Sequence, residues 1–151
     1  MMTKYEELIE EIRTYNVEVV ELMLGGDYGY CYNDVIFINE TSSEKTKYCI
    51  LAEEIGHYFT SYGNIINLSD TKNIHQENKA RIWAYEKLIS PDALVEALNN
   101  GLNTTEEIIE YFNITKEFFL EAIKYYRKRY GIYYVGKKCV LNLEPLYIIN
   151  F

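Results

Sequence analysis

Apolar residues recur at helical spacing near the start of the chain. Leu8, Ile9 and Ile12 follow a Thr3-x-x-Glu6 sequence, which is typical of a capping box at the start of a helix. This pattern predicts a first helix over about residues 4–15.

Three strand-like segments follow, rich in β-branched and aromatic residues. Val17–Leu24 ends at Gly25-Gly26-Asp27, which predicts a strand and then a turn. Tyr28–Tyr32 and Val35–Asn39 are separated by Asn33-Asp34, a pair that suits a tight hairpin turn. We therefore expect a small sheet before the second helix.

Helical patterns dominate the middle of the chain. A second capping box, Thr41-x-x-Glu44, predicts a helix that runs to about Tyr62. The polar segment Gly63–Asn73 is predicted to be a loop. A third helix is expected over about residues 74–89.

The C-terminal part shows three further helix starts and then strands. Ser90-Pro91 predicts an N-cap followed by proline at the first helical position, with the helix ending near Gly101. Thr104-x-x-Glu107 and Thr115 predict two more helices, the last ending before Gly131. The remaining strand-like segments are 132–135, 139–143 and 146–151. This order of helices and strands predicts an α+β fold.

Composition and charge narrow the class of protein. With 151 residues, 48% of them hydrophobic, the chain fits a packed domain. It has no apolar run long enough for a transmembrane helix. The acidic start, Met1–Glu7, lacks the pattern of a secretory signal, so we expect a cytoplasmic protein. The net charge of −8 argues against direct nucleic-acid binding as the main role.

Two further features are the basic run near the C-terminus, which has two interpretations, and the cysteines, which indicate no particular function. Between Lys116 and Lys138, seven Lys and Arg residues face only two Glu residues, which indicates either a docking patch or a solvated helix face. Cys31, Cys49 and Cys139 are too few and too widely spaced for a disulfide framework or a zinc knuckle. We expect them to be small buried hydrophobic residues.

Candidate chemistry lies on the second predicted helix. Residues four apart lie one turn apart on one helix face, so Glu53 and His57 point the same way, with Glu54 at the edge of that face. This is the layout of the H-E-x-x-H zinc motif with glutamate in place of the first histidine. The apolar stripe opposite is expected to contain Tyr48, Leu51, Ala52, Ile55 and Phe59. The motif alone is equally compatible with an ordinary exposed polar face.

The third predicted helix adds a carboxylate to this picture. Glu77 lies on the same line of the helix as Ala84 and Leu88, and a carboxylate on a packed face needs a partner. A metal shared with the neighbouring helix is one such partner, and the positive helix N-terminus is the other. His75 is a spare candidate ligand or a histidine of the preceding loop.

The chain resembles the ImmA/IrrE family of metallopeptidases in several stretches. Leu51–Thr60, which contains Glu53-Glu54-Ile55-Gly56-His57, is similar to the family's active helix. Glu77-x-x-Ala80-x-x-Trp83-Ala84 resembles the following helix, and Leu88-Ile89-Ser90-Pro91 resembles its end. The strand-like run 33–39 and the region 101–126 also fit the family, so the resemblance covers most of the chain.

The resemblance implies a fold, a site and a role. The implied fold is a zincin-like minidomain over 1–91, a small sheet packed on the active helix, with a helical extension and short β tail over 92–151. The implied site has Glu53, His57 and Glu77 as ligands of one divalent metal and Glu54 as the general base. Family members are often carried by prophages or mobile elements, and the implied substrate is a helix-turn-helix repressor encoded nearby.

Glu53 is a departure from the family pattern, which usually has histidine there. Two carboxylates and one imidazole form a harder, more anionic site than two imidazoles and one carboxylate. We expect zinc, with manganese or iron as alternatives. The added negative charge weakens the metal as a Lewis acid, so a slow or inactive variant is the alternative.

Three hypotheses therefore stand. The first is a metal-dependent endopeptidase acting on one protein partner. The second is a zincin-like protein that sequesters a regulator or toxin without cutting it. The third is DNA binding through the helices around Thr104–Tyr126, which the net charge opposes. Tyr58 and Tyr62 flank the motif and are candidates for polarising a scissile carbonyl.

Overall fold

The chain begins with a capped helix, as its hydrophobic pattern predicts. A computed structural model describes residues 1–26, 28–60 and 71–151, with the backbone alone for 71–74 and 76. The Thr3 hydroxyl accepts a hydrogen bond from the Glu6 backbone N–H, and the Glu6 carboxylate accepts one from the Thr3 N–H, which completes the capping box. The helices run α1 Lys4–Arg13, α2 Glu44–Thr60, α3 Thr71–Leu88, α4 Pro91–Asn99, α5 Thr105–Phe112 and α6 Lys116–Tyr130.

A three-stranded sheet lies between α1 and α2 in the chain. Its strands are β1 Glu18–Leu22, β2 Gly29–Tyr32 and β3 Val35–Asn39, in the order β1-β3-β2. The predicted hairpin at Asn33-Asp34 is confirmed, because β2 and β3 pair antiparallel and Asn33 takes a positive φ of 53°. β1 pairs with β3 in parallel, so in the sheet it is not adjacent to β2, the next strand in sequence. α2 packs against β2 and β3.

The start of α2 differs from the prediction. Thr41 does not cap the helix, because its backbone N–H and hydroxyl both donate to the Asn39 side chain. Ser43 caps it instead, with its hydroxyl oxygen 3.3 Å from the Thr46 N–H and its carbonyl accepting from the Lys47 N–H. Three adjacent hydroxyl residues could each cap the helix, and the Asn39 side chain removes the first from the choice.

The C-terminal helices start where the sequence predicts. Ser90, Thr104 and Thr115 are N-caps, each accepting a hydrogen bond from a backbone N–H three residues on. α4 has proline at its first position, and α6 ends at Gly131, whose φ is 79°. The buried Tyr126 hydroxyl donates to the Ile89 carbonyl at 2.8 Å.

A second three-stranded sheet closes the described chain. Its strands are β4 Tyr133–Val135, β5 Cys139–Leu143 and β6 Leu146–Asn150, all antiparallel in the order β4-β5-β6. α4 and α6 pack against this sheet. The predicted α+β class is confirmed, and the small sheet beside α2 is consistent with a zincin-like domain.

The described chain divides into two compact units, Met1–Ala84 and Tyr85–Phe151. The division after residue 91, expected from the family resemblance, stays a prediction. Within the described ranges, no helix is both long and apolar enough to cross a membrane. α3 begins at Thr71, three residues before the predicted start, and most of the predicted loop Gly63–Asn73 lies outside the described residues.

Candidate active site

α2 presents its chemistry-bearing residues above a buried stripe. Leu51 and Ala52 are fully buried and Ile55 is 1% exposed, so this face of the helix anchors it in the first unit. Glu53, Glu54 and His57 are half-buried on the other side. The three polar side chains therefore lie on one side of α2, opposite its buried face, as expected for residues about one turn apart.

Phe59 is a correction to the predicted apolar stripe, because it is 40% exposed. Its ring lies 5.0 Å from that of Tyr15 and 5.6 Å from that of Trp83. These three rings line an apolar cavity of about 300 Å³, together with Leu8, Glu11, Ile12 and Ile55. Phe59 therefore lies beside a partly open space, which helical periodicity alone does not reveal.

Gly56 brings α2 and α3 into close contact. A Cβ atom at this position would lie only 2.4 Å from the Ala80 carbonyl oxygen. Ala80 is fully buried and has a small side chain, so the two backbones approach at a point where a larger residue does not fit. Gly56 had no predicted role, although a glycine inside a helix is a recognised signal of close packing.

This approach places His57 against Glu77. The Nε2 atom of His57 lies 3.0 Å from Oε2 of Glu77, with 14% and 20% of the two side chains exposed. Burial lowers the pKa of His57, but the Glu77 hydrogen bond and the surrounding carboxylates outweigh it, so the pKa is raised. The same hydrogen bond lowers the pKa of Glu77, against the opposing effect of its burial. Together they form a hydrogen-bonded pair that joins two helices, and it is an ion pair when His57 is protonated.

Arg81 joins the site from α3. Its Nε atom lies 3.3 Å from Oε1 of Glu53, and one of its terminal nitrogens lies 3.7 Å from Oε1 of Glu77. Burial raises the pKa of Glu53 although the Arg81 guanidinium opposes the shift. Arg81 was not predicted as a site residue, although its i, i+4 spacing from Glu77 is a usual signal of a helical ion pair.

Glu54 is held apart from this ion pair, toward the sheet. The backbone N–H of Cys31, in β2, donates a hydrogen bond to its carboxylate. Burial raises the pKa of Glu54 to about 7, with the nearby carboxylates of Glu53 and Glu77 adding to the effect and His57 opposing it. A carboxyl group that titrates near neutral pH is suited to accept and return a proton.

Cys31 itself is a correction to the cysteine prediction. It is half-buried, whereas Cys49 and Cys139 are buried as expected, and all three are free thiols. Burial, with Glu54 and Asp34 nearby, raises the pKa of the Cys31 thiol to about 11. The thiol is therefore a protonated neighbour of the site at neutral pH.

The donor chemistry fits a divalent metal, although the side chains are not gathered around one point. Within residues 1–26, 28–60 and 71–151, no three His, Cys, Asp or Glu side chains are arranged to enclose a metal ion. Two ligands of a tetrahedral zinc ion lie about 3.3 Å apart, close to the 3.0 Å between His57 and Glu77. His57 Nδ1 is buried with no hydrogen-bond partner among the described residues. A histidine that binds metal through Nε2 usually donates from Nδ1 to a partner, so this supporting contact is absent from the described residues. The assignment of Glu53, His57 and Glu77 as ligands stays a prediction.

His75 and Tyr58, two further candidates from the sequence, are not among the ion pairs of this cluster in the described residues. His75 is exposed on α3. Tyr58 is half-buried, with its ring 5.3 Å from that of Phe59 in an edge-to-face arrangement. Tyr62 lies outside the described residues, so its predicted role is not addressed by this geometry.

One family model matches most of the chain. The model for the M78 peptidases, described as the IrrE N-terminal-like domain, matches residues 12–124. The matched range contains the sheet β1-β3-β2, the cluster on α2 and α3, and most of α6. Among curated proteins, none matches the chain in sequence.

Proposed function

The chain belongs to the IrrE N-terminal-like family of M78 peptidases, and we propose that it is a metal-dependent endopeptidase that cuts one specific protein partner. The family indicates a function of the metallopeptidase type. The proposed substrate is a helix-turn-helix repressor of a prophage or mobile element, as the family resemblance implies. The proposed cofactor is one divalent metal, zinc first, with manganese or iron as alternatives.

The observation that carries the proposal is the contact between His57 and Glu77. It joins an imidazole nitrogen to a carboxylate oxygen at 3.0 Å across two helices, with Glu53 one turn before His57 and Glu54 beside them on the same helix. Imidazole and carboxylate are the ligands that zinc takes in peptidases. Glu53, His57 and Glu77 are the proposed ligands.

In the proposed reaction, different residues bind the metal, transfer the proton and position these groups. A divalent ion held by this set supplies Lewis-acid polarisation of the scissile carbonyl. Glu54 takes a proton from the attacking water and returns it to the leaving amine, for which a pKa of about 7 is well placed. The Cys31 N–H orients the Glu54 carboxylate, and Gly56 allows α2 to approach α3 closely enough for His57 to meet Glu77.

The alternative is a protein that sequesters its partner without cutting it. Arg81 favours sequestration without cleavage, because its guanidinium already lies beside the carboxylates of Glu53 and Glu77. A fixed positive charge at this place neutralises part of the ligand set and competes with a metal ion. The two functions differ in whether the purified protein holds metal and whether the partner's peptide chain is broken.

The experiment compares the wild type with Glu54→Gln. Metal content is measured on the purified proteins, and each is incubated with zinc and with the proposed substrate, a helix-turn-helix repressor. We expect Glu54→Gln to bind as much zinc as the wild type and to lose cleavage by about a hundredfold or more. Glu40→Gln, which changes an exposed carboxylate before α2, is the matched control and should cleave normally.

Two results would point away from catalysis by Glu54. Equal cleavage by Glu54→Gln and the wild type would remove Glu54 as the base. A wild type that binds no divalent metal and leaves its partner intact, yet still relieves repression, would favour sequestration. In that case Glu54→Gln should relieve repression as well as the wild type does.

A further inference from the structure

The C-terminal sheet has one face that the described helices of its unit do not cover. Its strands pair so that Tyr133, Asn142 and Tyr147 form one row across the sheet, and Val135, Val140 and Ile149 form the next. Side chains alternate between the two faces of a strand, so these two rows share a face. We call it the outer face, and it includes Phe151, whose N–H donates to the Lys138 carbonyl and extends the pairing by one residue.

The opposite face is the packed one. Leu141 is fully buried, Leu143 is 2% exposed and Cys139 is 5% exposed, and α4 and α6 pack against the sheet. A sheet with one packed face usually carries polar residues on the other. The outer face departs from this rule.

Large apolar side chains fill the outer face and remain exposed. The exposed fractions are 56% for Tyr133, 68% for Val135, 43% for Tyr147, 47% for Ile149 and 73% for Phe151. Isolated exposed apolar residues are common, but a contiguous group of this size marks an interaction surface. The sheet register makes this group contiguous.

Polar groups do not break up the centre of the outer face. Asn142 is 3% exposed, and its side-chain NH₂ group donates to the Pro145 carbonyl at 2.6 Å, so this donor is used within the chain. Lys138 lies at the rim, in register with Phe151. An apolar centre with a polar rim is the usual anatomy of a protein interface.

We propose that the outer face is the interface between two copies of this chain. The exposed parts of its five apolar residues amount to roughly 600 Å² per copy, so pairing would bury about 1,200 Å², which reaches the range of specific interfaces. Two such faces can stack as sheets pack in a sandwich, about 10 Å apart, related by a two-fold axis.

Charge does not oppose a second copy at this face. Each chain carries a net charge of −8, so two copies repel wherever acidic surfaces meet. The outer face carries no Asp or Glu, and its pairing therefore brings apolar surfaces together without bringing carboxylates together. This inference is independent of the metal and of the proposed peptidase activity.

The test is the mass of the full chain in solution, measured by sedimentation over concentrations up to about 100 µM. We expect the wild type to approach twice its 17.9 kDa chain mass. Val135→Lys and Ile149→Lys should each weaken the dimer by about a hundredfold, because each places an unpaired charge in the apolar centre. Lysine also makes the chain less negative, so general repulsion cannot explain the loss.

Two further variants keep the test decisive. Leu120→Lys is the matched control, because Leu120 is 52% exposed in the same unit but lies on α6, and it should leave the dimer intact. Val135→Thr keeps the β-branched shape suited to a strand and should weaken the dimer less than lysine does. A wild type that is monomeric throughout, or lysine variants that pair as well as the wild type, would overturn the proposal.

Discussion

Replacing Gly56 by alanine tests whether close helix contact builds the candidate site. The added Cβ atom would lie 2.4 Å from the Ala80 carbonyl oxygen and 3.0 Å from two further backbone atoms of Ala80. Backbone atoms cannot rotate away as the end of a side chain can. The helices α2 and α3 must therefore move apart by about 0.6–1 Å to restore ordinary contact distances.

The net effect follows from two opposing free energies. Alanine is a better helix former than glycine by about 1 kcal/mol, so an uncrowded helix would gain stability. Forcing extra volume into a packed contact costs about 1–3 kcal/mol and occasionally more. Because the clash involves backbone, we expect the upper part of that range and a net loss of about 1–2 kcal/mol in the free energy of unfolding.

Chemical denaturation of the metal-free protein measures this loss. Gly25→Ala is the matched control, because a Cβ atom there meets nothing within 4 Å, and its free energy of unfolding should change by less than about 0.5 kcal/mol.

A second measurement reports on the site itself. As the helices separate, the contact between His57 and Glu77 lengthens from 3.0 Å. The raised pKa of His57, followed by NMR, should therefore fall in Gly56→Ala and stay unchanged in Gly25→Ala. A Gly56→Ala protein as stable as the wild type, with an unshifted His57, would refute the close approach of α2 to α3.

Two further predictions concern charge in the site. Arg81→Gln removes the cation beside Glu53 and Glu77, which would compete with a metal ion for these carboxylates. Such a partly exposed interaction is worth about 1 kcal/mol. Zinc titration of the variant should therefore show a Kd about fivefold to tenfold lower than that of the wild type. The pKa values of Glu54 and His57 are raised in the folded protein, so the folded state holds their protons more tightly than the unfolded state does. Protonation of these two groups therefore stabilises the fold at low pH, and this stabilisation is lost as the pH rises through the raised pKa values. Melting of the protein in chelator should therefore show a Tm that falls between about pH 5 and pH 8, and Glu54→Gln should flatten this slope.

Each of these predictions has its control. Lys79→Gln removes an exposed positive charge from α3 and should leave the zinc Kd within about twofold of the wild type, since Lys79 makes no contact with the carboxylates in the described residues. An equal change in both variants would mean that Arg81 acts only through net charge. A Tm that rises with pH over the same interval would contradict the raised pKa values.

Local sequence signals predicted the elements well because their causes are local. A cap depends on a hydroxyl residue and a backbone N–H three positions away, so Thr3, Ser90, Thr104 and Thr115 could be identified from the chain alone. Where several hydroxyl residues compete, as before α2, local rules do not choose between them. Before α2, Thr41 is excluded as the N-cap because its backbone N–H and hydroxyl donate to the Asn39 side chain.

Candidate site residues were recognisable from helical spacing and from the family resemblance. Spacing placed Glu53 and His57 on one face and Glu77 on the packed line of the next helix, and the resemblance then assigned their roles. The contact of His57 with Glu77 at 3.0 Å is consistent with both, while their role as metal ligands stays a prediction. The contact of Arg81 with Glu53 could not be predicted, because the two residues are 28 positions apart in sequence, whereas its i, i+4 spacing from Glu77 was visible in the chain.

By itself the sequence determined the α+β order, the hairpin, most of the caps and the set of residues from which a site could be built, because these depend on neighbours within a few positions. Tertiary structure alone decided the parallel pairing of β1 with β3, the approach of Gly56 to Ala80, and the register that joins five exposed apolar side chains into one face. Such features depend on distances between segments far apart in the chain. Those distances are set by the packing of the whole unit, and no local pattern of residues encodes them.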